Sequence, residues 1–351
     1  MQRDERAWNL RYRERDGVVN PEDIHRAAIV FDATCPLASV GNWYESWING
    51  GATTIAPTVA GPFSDATDAL SRISGILVKI AADGRLILVE RADQFFEAKA
   101  QGKMGLVLHF QNTLPFGRDL SLVRVFYKLG VRVVQLTYNS RNFVGDGCEE
   151  KADAGLSAFG VKLIEEFNKE GVVVDLSHTG YKTTMEAMEV SQQPVVFSHS
   201  NARAVLNSAR NISDEQIKAL ARSGGVIGVN GTPYFVSEKA KPTMQDLMNH
   251  IRHIADLVGM DHVGLGLDYY EGMAGVASGE QAQKLYADFV SSGTWNPCTY
   301  APPPWYFPDA IRKPSDLPNL TVALSKEGFQ EDEIKNILGL NFLRVFKEVW
   351  K

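Results

Sequence analysis

The sequence predicts an α/β protein in which eight parallel strands close into a (β/α)8 barrel, the TIM-barrel fold. Short runs of β-branched and apolar residues alternate with longer stretches of helical periodicity. The strand runs are almost continuously apolar, which is typical of parallel strands covered on both faces. Eight such runs within about 240 residues favour a closed barrel over an open doubly wound sheet.

The predicted strands follow one another at regular intervals along the chain. Residues 51–56 supply a less regular run that completes the set of eight. The other seven are residues 28–33, 105–111, 131–137, 171–176, 194–198, 225–230 and 262–267.

Helical patterns occupy the intervals between strands. Apolar residues recur at helical spacing over residues 156–167, and this run ends at Gly171. Ser213, followed three residues later by Gln216, is the pattern of a capping box at a helix start. Residues 334–350 form a C-terminal helical run with one strongly apolar face. Helix and strand therefore alternate as the barrel requires.

The bulk composition is that of one globular enzyme domain. The chain has 351 residues, of which 44% are hydrophobic and 22% charged, and we expect a single barrel domain over residues 1–351. Residues 270–318 are rich in Gly, Pro, Trp and Tyr. We expect this stretch to form a long loop over the barrel mouth, and Trp295, Trp305 and Tyr306 to influence the choice of substrate.

Charge and cysteine content bound the partners and the compartment. The net charge of −6 argues against a nucleic acid or an anionic membrane as partner. No run of about 18 apolar residues predicts a membrane span, and the charged residues 1–17 do not resemble a secretory signal. The three cysteines, Cys35, Cys148 and Cys298, are too sparse for a disulfide framework. We therefore expect a reduced, cytoplasmic protein.

Polar residues end the predicted strands, where the active sites of barrel enzymes lie. Two histidines on neighbouring strands could bind zinc, although each could equally cap a local backbone group. A carboxylate there could be a ligand, a general base or a loop cap. Arg210 suits bidentate binding of a carboxylate, but a surface ion pair is the commoner role. The strand-end residues are Asp32, Thr34, His109, Gln111, Tyr138, Asp175, His178, His199 and Asp268.

These segments together resemble the renal (membrane) dipeptidase family of zinc metallopeptidases. The resemblance runs in order and spacing from about residue 28 to the end of the chain, and the family fold is a (β/α)8 barrel. The matching motifs are LTYN at 136–139, VDLSH at 174–178, FSHSN at 197–201, ARNISDE at 209–215, GLGLD at 264–268 and LNFLRVF at 340–346.

The resemblance implies a two-zinc site of which part is missing. Family members end the first strand in Asp-Gly-His-x-Asp, whereas this chain has Thr34 at the histidine position and Pro36 at the aspartate position. Gln111 replaces the glutamate that bridges the two metals in the family. The histidines that bind the second metal match His178 and His199.

The resemblance also implies roles for residues outside the metal ligands. Asp268 matches the carboxylate that activates the bridging water, and Arg210 matches the arginine that binds the substrate's carboxylate. Tyr138 stands at the position of a histidine that contacts substrate in some members. A homodimer is a further implication of the family.

The missing ligands predict at most one zinc ion per chain. His178 and His199, with Gln111, Asp268 or a water molecule, could form a site with one open position, and His109 or Asp32 could add a ligand. Without a metal, His178, His199 and Asp268 could act as acid–base groups.

Three functions therefore compete. The first is a dipeptidase-like hydrolase that acts on a small substrate bearing a carboxylate, using at most one zinc. The second is a non-peptidase enzyme of altered chemistry, metal-free or with one metal, on a carboxylated small molecule. The third is a catalytically inactive binding protein.

Overall fold

The computed structural model describes residues 20–36, 41–42, 44–270 and 279–351. The charged N-terminal stretch, which the sequence predicts not to be a secretory signal, lies outside the described residues. Within the described part, no helix combines the length and the apolar character needed to cross a membrane.

The strands of the described chain form one continuous parallel sheet. All pairs between neighbouring strands are parallel, in the order β1–β2–β5–β6–β7–β8–β9–β10 for the barrel, with β4 and β3 attached beside β2. The strands are β1 Phe31–Cys35, β2 Thr54–Ala60, β3 Leu86–Leu88, β4 Met104–Leu106, β5 Leu108–Phe110, β6 Val131–Gln135, β7 Val173–Asp175, β8 Val196–Phe197, β9 Val226–Val229 and β10 Val263–Leu265.

Each of the eight predicted strands coincides with a strand of the barrel, which confirms the fold class. The predicted run at 105–111 is divided between β4 and β5, because β2 shifts its pairing from one to the other. The short strand β3 was not predicted. Its three residues are too few to show a period on their own.

The barrel closes between its first and last strands through a side chain. Asp32 of β1 accepts a hydrogen bond from the backbone N–H of Leu267, just after β10, at 2.9 Å.

The opposite end of the barrel is filled by aromatic rings. Phe31 packs edge-on against Phe342 and Phe346, with ring centroids 5.3 Å and 5.4 Å away. The packed aromatic rings therefore close this end of the barrel, and the polar strand-end residues lie at the other end.

Helices cover the outside of the sheet, and their ends follow local signals. Gly171 ends α6 in the left-handed conformation, at a φ of 89°, and Ser213 with Gln216 forms the predicted capping box before α8. The helices are α1 Pro21–Ala27, α2 Tyr44–Asn49, α3 Ala66–Ala82, α4 Gln94–Gln101, α5 Ser121–Lys128, α6 Ala158–Glu170, α7 Tyr181–Val190, α8 Asp214–Arg222, α9 Pro233–Val236, α10 Met244–Val258, α11 Gly279–Ser291, α12 Leu317–Lys326, α13 Glu331–Lys335 and α14 Asn341–Val349.

The segment 270–318 is more ordered than a long loop. Helix α11, Gly279–Ser291, lies within it. A 3-10 turn, Pro314–Asp316, and the start of α12 end the segment. Residues 271–278 lie outside the described part. Ala282, Trp295 and Tyr300 of this segment are buried, which shows that it packs onto the barrel.

Candidate active site

A cavity of about 220 Å³ lies where the barrel strands end. Gln111 follows β5, His178 lies three residues after β7, and Asp268 lies three residues after β10; all three line this main cavity together with Tyr138. These residues lie far apart in the chain and meet because the carboxyl ends of parallel strands share one mouth of a barrel.

His178 and His199 form the centre of the site. Both imidazoles are buried, and their Nε2 atoms lie 2.9 Å apart. Burial and the nearby positive charge of Arg210 hold the pKa of both rings well below the usual value. Both histidines are therefore neutral at pH 7, and each carries one ring proton.

The position of the proton on His178 follows from Asn139. His178 Nδ1 lies 2.6 Å from Asn139 Oδ1. The orientation of the Asn139 amide is fixed, because its Nδ2 donates to the carbonyl of Thr294 at 2.9 Å and a carbonyl can only accept. Asn139 Oδ1 is thus an acceptor, so His178 carries its proton on Nδ1 and leaves Nε2 with a free lone pair.

His199 is held in the same tautomer by different residues. Its Nδ1 lies 2.6 Å from Ser198 Oγ and 3.1 Å from Thr34 Oγ1. Ser198 gives its own hydrogen to the Asp175 carboxylate at 2.5 Å, and Thr34 gives its hydrogen to the carbonyl of Ala33 at 2.8 Å. Both hydroxyls are thus acceptors toward His199, whose Nδ1 donates.

The two hydrogen-bond networks leave two imidazole lone pairs facing each other. Neutral Nε2 atoms without protons repel at 2.9 Å, unless a cation lies beside both of them. Neutral imidazole with Nδ1–H held by a second-shell acceptor is the form in which histidine binds zinc. The pair formed by His178 and His199 therefore fits one metal ion as two of its ligands.

The remaining groups do not complete a second metal site. Among the described residues, no three His, Cys, Asp or Glu side chains lie close enough together to hold a metal ion. The Gln111 carboxamide makes no hydrogen bond within the described chain and lines the main cavity, so its oxygen is open to a ligand. A two-zinc centre does not fit these residues.

Two of the candidate ligands, Asp32 and His109, have structural partners instead. Asp32 accepts from Trp47 Nε1 and from the Leu267 N–H, both at 2.9 Å, so its carboxylate closes the barrel. His109 Nε2 lies 3.1 Å from the Asp175 carboxylate. Both residues are completely buried and absent from the lining of the main cavity. Their role as added ligands stays a prediction.

Asp268 has the environment of a general base. It lies in the main cavity, with Asn230 Nδ2 at 3.5 Å and Thr232 Oγ1 at 3.4 Å from one carboxylate oxygen. Burial raises the pKa of Asp268 to about 7, against the opposing effect of the Arg210 charge. A carboxylate with a pKa near neutrality is suited to accept a proton during catalysis at pH 7.

Arg210 is a buried cation that lacks an acidic partner within the described chain. It is 2% exposed, its Nη2 donates to the carbonyl of His199 at 3.1 Å, and its Nε has no hydrogen-bond partner there. A buried charge without a counterion is costly. The guanidinium is therefore matched to an anionic ligand.

Arg210 lines a second cavity, which has a volume of about 160 Å³. Ser200 also lines it, and His178 lines both cavities. The hydroxyl of Ser200 is buried and likewise has no partner within the described chain. His178 therefore borders the cavity of Asp268 and the cavity of Arg210.

Backbone strain concentrates at the same place. Asn139, His178 and Asp268 have positive φ angles of 54°, 64° and 59°. Left-handed backbone costs roughly 1 kcal/mol or more at residues other than glycine and is enriched at functional sites. All three residues contribute side chains to the site.

Several residues that shape the site were not predicted from the sequence. Asn139 and Ser198 lie within the LTYN and FSHSN motifs, next to Tyr138 and His199, and this adjacency was the available signal. Tyr138 stacks on the His178 ring at 4.1 Å. Three loop aromatics were expected to influence the choice of substrate, and of these Trp295 lines the main cavity in the described chain. The Trp305 ring packs against Trp295, and Tyr306 packs near Lys241.

Comparisons with known proteins identify the family of this chain. The model of the membrane dipeptidase family, peptidase family M19, matches residues 40–294. Dipeptidase tcpJ of Claviceps purpurea is 28% identical over 268 residues, which cover 76% of this chain and 56% of that protein. An uncharacterized dipeptidase of Schizosaccharomyces pombe is 32% identical over 270 residues, covering 75% and 58%. The chain thus spans less than two thirds of the length of these relatives.

Solved structures show the same fold over nearly the whole chain. An amidohydrolase from Pseudomonas aeruginosa superposes with a TM-score of 0.84 and 30% identity, covering 95% of this chain and 99% of that one. A metallopeptidase from Rhodobacter sphaeroides, solved with a phosphinate mimic of L-Ala-D-Ala, gives a TM-score of 0.74 at 22% identity, covering 92% and 100%. The match to the family model decides the relationship: this chain belongs to the membrane dipeptidase family, peptidase family M19.

Proposed function

We propose that this chain is a dipeptidase-type hydrolase that acts on a small substrate with a free carboxylate and uses at most one zinc ion. The observation that carries the proposal is the order of groups across the site. Asp268 lies in one cavity, the buried cation Arg210 lies in another, and His178 borders both. A short peptide with its carboxylate toward Arg210 would place its amide bond beside the histidine pair.

The roles of the side chains follow from this arrangement. Asp268 takes a proton from the attacking water and can return it to the leaving amine. Arg210 holds the substrate carboxylate by charge-assisted hydrogen bonds. His178 and His199 would hold a zinc ion, which when bound would polarise the carbonyl and acidify a water molecule. Asn139, Ser198 and Thr34 keep both Nε2 atoms free of protons.

Metal content tests the first part of the proposal. We expect elemental analysis of purified protein to give at most one tightly bound zinc ion per chain, because no three His, Cys, Asp or Glu side chains of the described residues lie together in the way a metal ion needs. His199→Ala should abolish tight binding. Two zinc ions per chain that resist mild chelation would contradict the proposal.

Arg210→Ala tests the carboxylate. The variant should bind a dipeptide about 1.5–3 kcal/mol more weakly than wild type, which is the range for a hydrogen bond to a charged group. Calorimetric titration measures the change, and Arg210→Lys should recover part of it because the charge remains without the bidentate geometry. Unchanged affinity in Arg210→Ala would remove the carboxylate from the proposed substrate.

One observation favours the second candidate, an enzyme of altered chemistry on a carboxylated small molecule. Thr34 stands where the resemblance places a metal ligand, and its hydroxyl forms a hydrogen bond with His199 Nδ1. The hydrogen-bonding requirement of that nitrogen is therefore met without a second metal ion. Assay of a panel of L- and D-containing dipeptides distinguishes the two candidates. Hydrolysis of any of them supports the dipeptidase, whereas tight binding without hydrolysis favours altered chemistry.

The compartment also remains a proposal. Cys35, Cys148 and Cys298 are free in the structure, and Cys35 is buried, as expected of a reduced cytoplasmic protein. Thiol titration of unfolded protein, made without added reductant, should give three free thiols per chain.

A further inference from the structure

The main cavity has a wall built from aromatic rings. These rings come from four separate segments of the chain, after β6, after β9, after β10 and from α11 onward. We call the following residues the aromatic wall: Tyr138, Tyr234, Phe235, Tyr270, Phe289, Trp295 and Tyr300.

The polar atoms of the aromatic wall bond mainly to one another. The hydroxyls of Tyr234 and Tyr270 lie 2.6 Å apart, and Trp295 Nε1 donates to the Tyr138 hydroxyl at 3.2 Å. The Tyr300 hydroxyl accepts from Asn139 at 2.8 Å. Because these groups have partners, the wall can meet a ligand with apolar ring surface at little cost in desolvated polar groups.

The rings are also fixed in position before a ligand arrives. Trp295 stacks on Tyr300 at 4.6 Å with an interplanar angle of 5°, and Phe289 lies 4.5 Å from Trp295. Trp295 and Tyr300 are 5% and 2% exposed. A wall that is already ordered loses little side-chain entropy on binding.

The described lining of this cavity has two charged side chains. Asp268 lies among the strand ends, and Arg72 is exposed on α3. The cavity therefore matches an apolar group better than an acidic or basic one.

We propose that the aromatic wall binds a large aromatic side chain on the N-terminal residue of a dipeptide substrate. This assignment rests on the proposed function, in which Arg210 holds the C-terminal carboxylate in the second cavity. The N-terminal residue then extends into the main cavity, beside Asp268. The substrate class is thus a dipeptide that begins with phenylalanine, tyrosine or tryptophan.

Binding of matched dipeptides tests the assignment. Calorimetric titration of wild-type protein with Phe-Ala, Glu-Ala and Gly-Ala should show Phe-Ala bound at least about tenfold more tightly than Gly-Ala, as expected for burying a phenylalanine side chain. Phe289→Ala should reduce that ratio to about threefold or less, and Phe289→Leu to an intermediate value. Phe96→Ala is the control, because Phe96 is exposed on α4, outside the cavity, and it should keep the wild-type ratio.

The outcomes separate this inference from the proposed function. Equal affinities for Phe-Ala and Gly-Ala, or tightest binding of Glu-Ala, overturn the aromatic assignment even if all three are hydrolysed. A preference for Phe-Ala without hydrolysis supports the assignment and counts against the dipeptidase. If no dipeptide binds, phenylalaninamide and glycinamide decide: preference for phenylalaninamide supports the aromatic wall, and its absence overturns it.

Discussion

Asp268→Asn is expected to reduce hydrolysis of the best dipeptide substrate by about 10²–10⁴-fold, the usual contribution of a positioned general base. Asparagine keeps the shape of the side chain and its contacts with Asn230 and Thr232, but it cannot accept the proton. Initial-rate measurements with equal metal content in both proteins isolate this effect. A variant that keeps a tenth or more of the wild-type rate would show that another group is the base.

The wild-type rate should also depend on pH through Asp268. Because the pKa of this carboxyl is raised to about 7, the base form is scarce at pH 5 and predominates at pH 8. We therefore expect kcat/KM to rise through about pH 7, and this rise should be absent from any residual activity of Asp268→Asn. A wild-type profile that is flat from pH 5 to 8 would contradict the assignment.

The same substitution should stabilise the fold at high pH. A carboxyl whose pKa is higher in the folded than in the unfolded chain binds more protons when folded, so its contribution to stability falls as pH rises from about 4 to about 7. Asparagine does not titrate, so the variant does not lose stability in this way as the pH rises. The variant should gain about 1–3 kcal/mol over wild type at pH 8 and little at pH 4.

Urea unfolding of metal-free protein at both pH values measures this difference. Asp288→Asn is the matched control, because Asp288 is exposed on α11, and its stability relative to wild type should not follow this pattern. A loss of stability in Asp268→Asn at pH 8 would mean that the charged form is stabilised by the fold.

Ordinary L,L-dipeptides should be cleaved at least about a hundredfold more slowly than by a family member with a complete two-zinc site. That factor corresponds to about 2.7 kcal/mol of transition-state stabilisation, a modest loss for one missing Lewis acid. The expected cause comes from the resemblance, which places metal ligands at the positions of Thr34, Pro36 and Gln111. Rates equal to those of a complete-site member would overturn this explanation.

The rescue variant restores Thr34→His, Pro36→Asp and Gln111→Glu together. Pro36 and Gln111 line the main cavity, and Thr34 Oγ1 lies 3.1 Å from His199 Nδ1. The triple variant should bind a second zinc ion and gain dipeptidase activity. Gln111→Glu alone is the control, because it adds one charge without the other ligands; a full gain from this single change would contradict the explanation.

The sequence alone determined the fold and the set of strand-end residues. The strands and the major helices are visible locally, because apolar runs, Gly171 and the pair of Ser213 and Gln216 act within a few residues of themselves. The departures from the family's first-strand motif were equally visible in the sequence, since Thr34 and Pro36 occupy fixed places in one short motif. The membrane dipeptidase resemblance rested on the order of such motifs.

Tertiary structure decided which strand-end groups act together. Asp32 and His109 look like ligands in the sequence, but their hydrogen bonds to Leu267 and Asp175 join strands that are distant in the chain. The same holds for the tautomer of His178, which depends on the amide of Asn139 and, through it, on the carbonyl of Thr294. No local pattern encodes these partners, which lie between 39 and 235 residues apart in the chain.

The division of the site into two cavities also appeared only in the folded chain. Arg210 lines the second cavity, the aromatic wall lines the main cavity, and His178 lines both. The rings of the wall come from segments that the sequence gives no reason to combine. Side-chain packing between distant segments depends on the shape of the whole barrel mouth. For this reason a carboxylate on the ligand could be predicted from one arginine in the sequence. The proposal of an aromatic side chain on the substrate needed the structure.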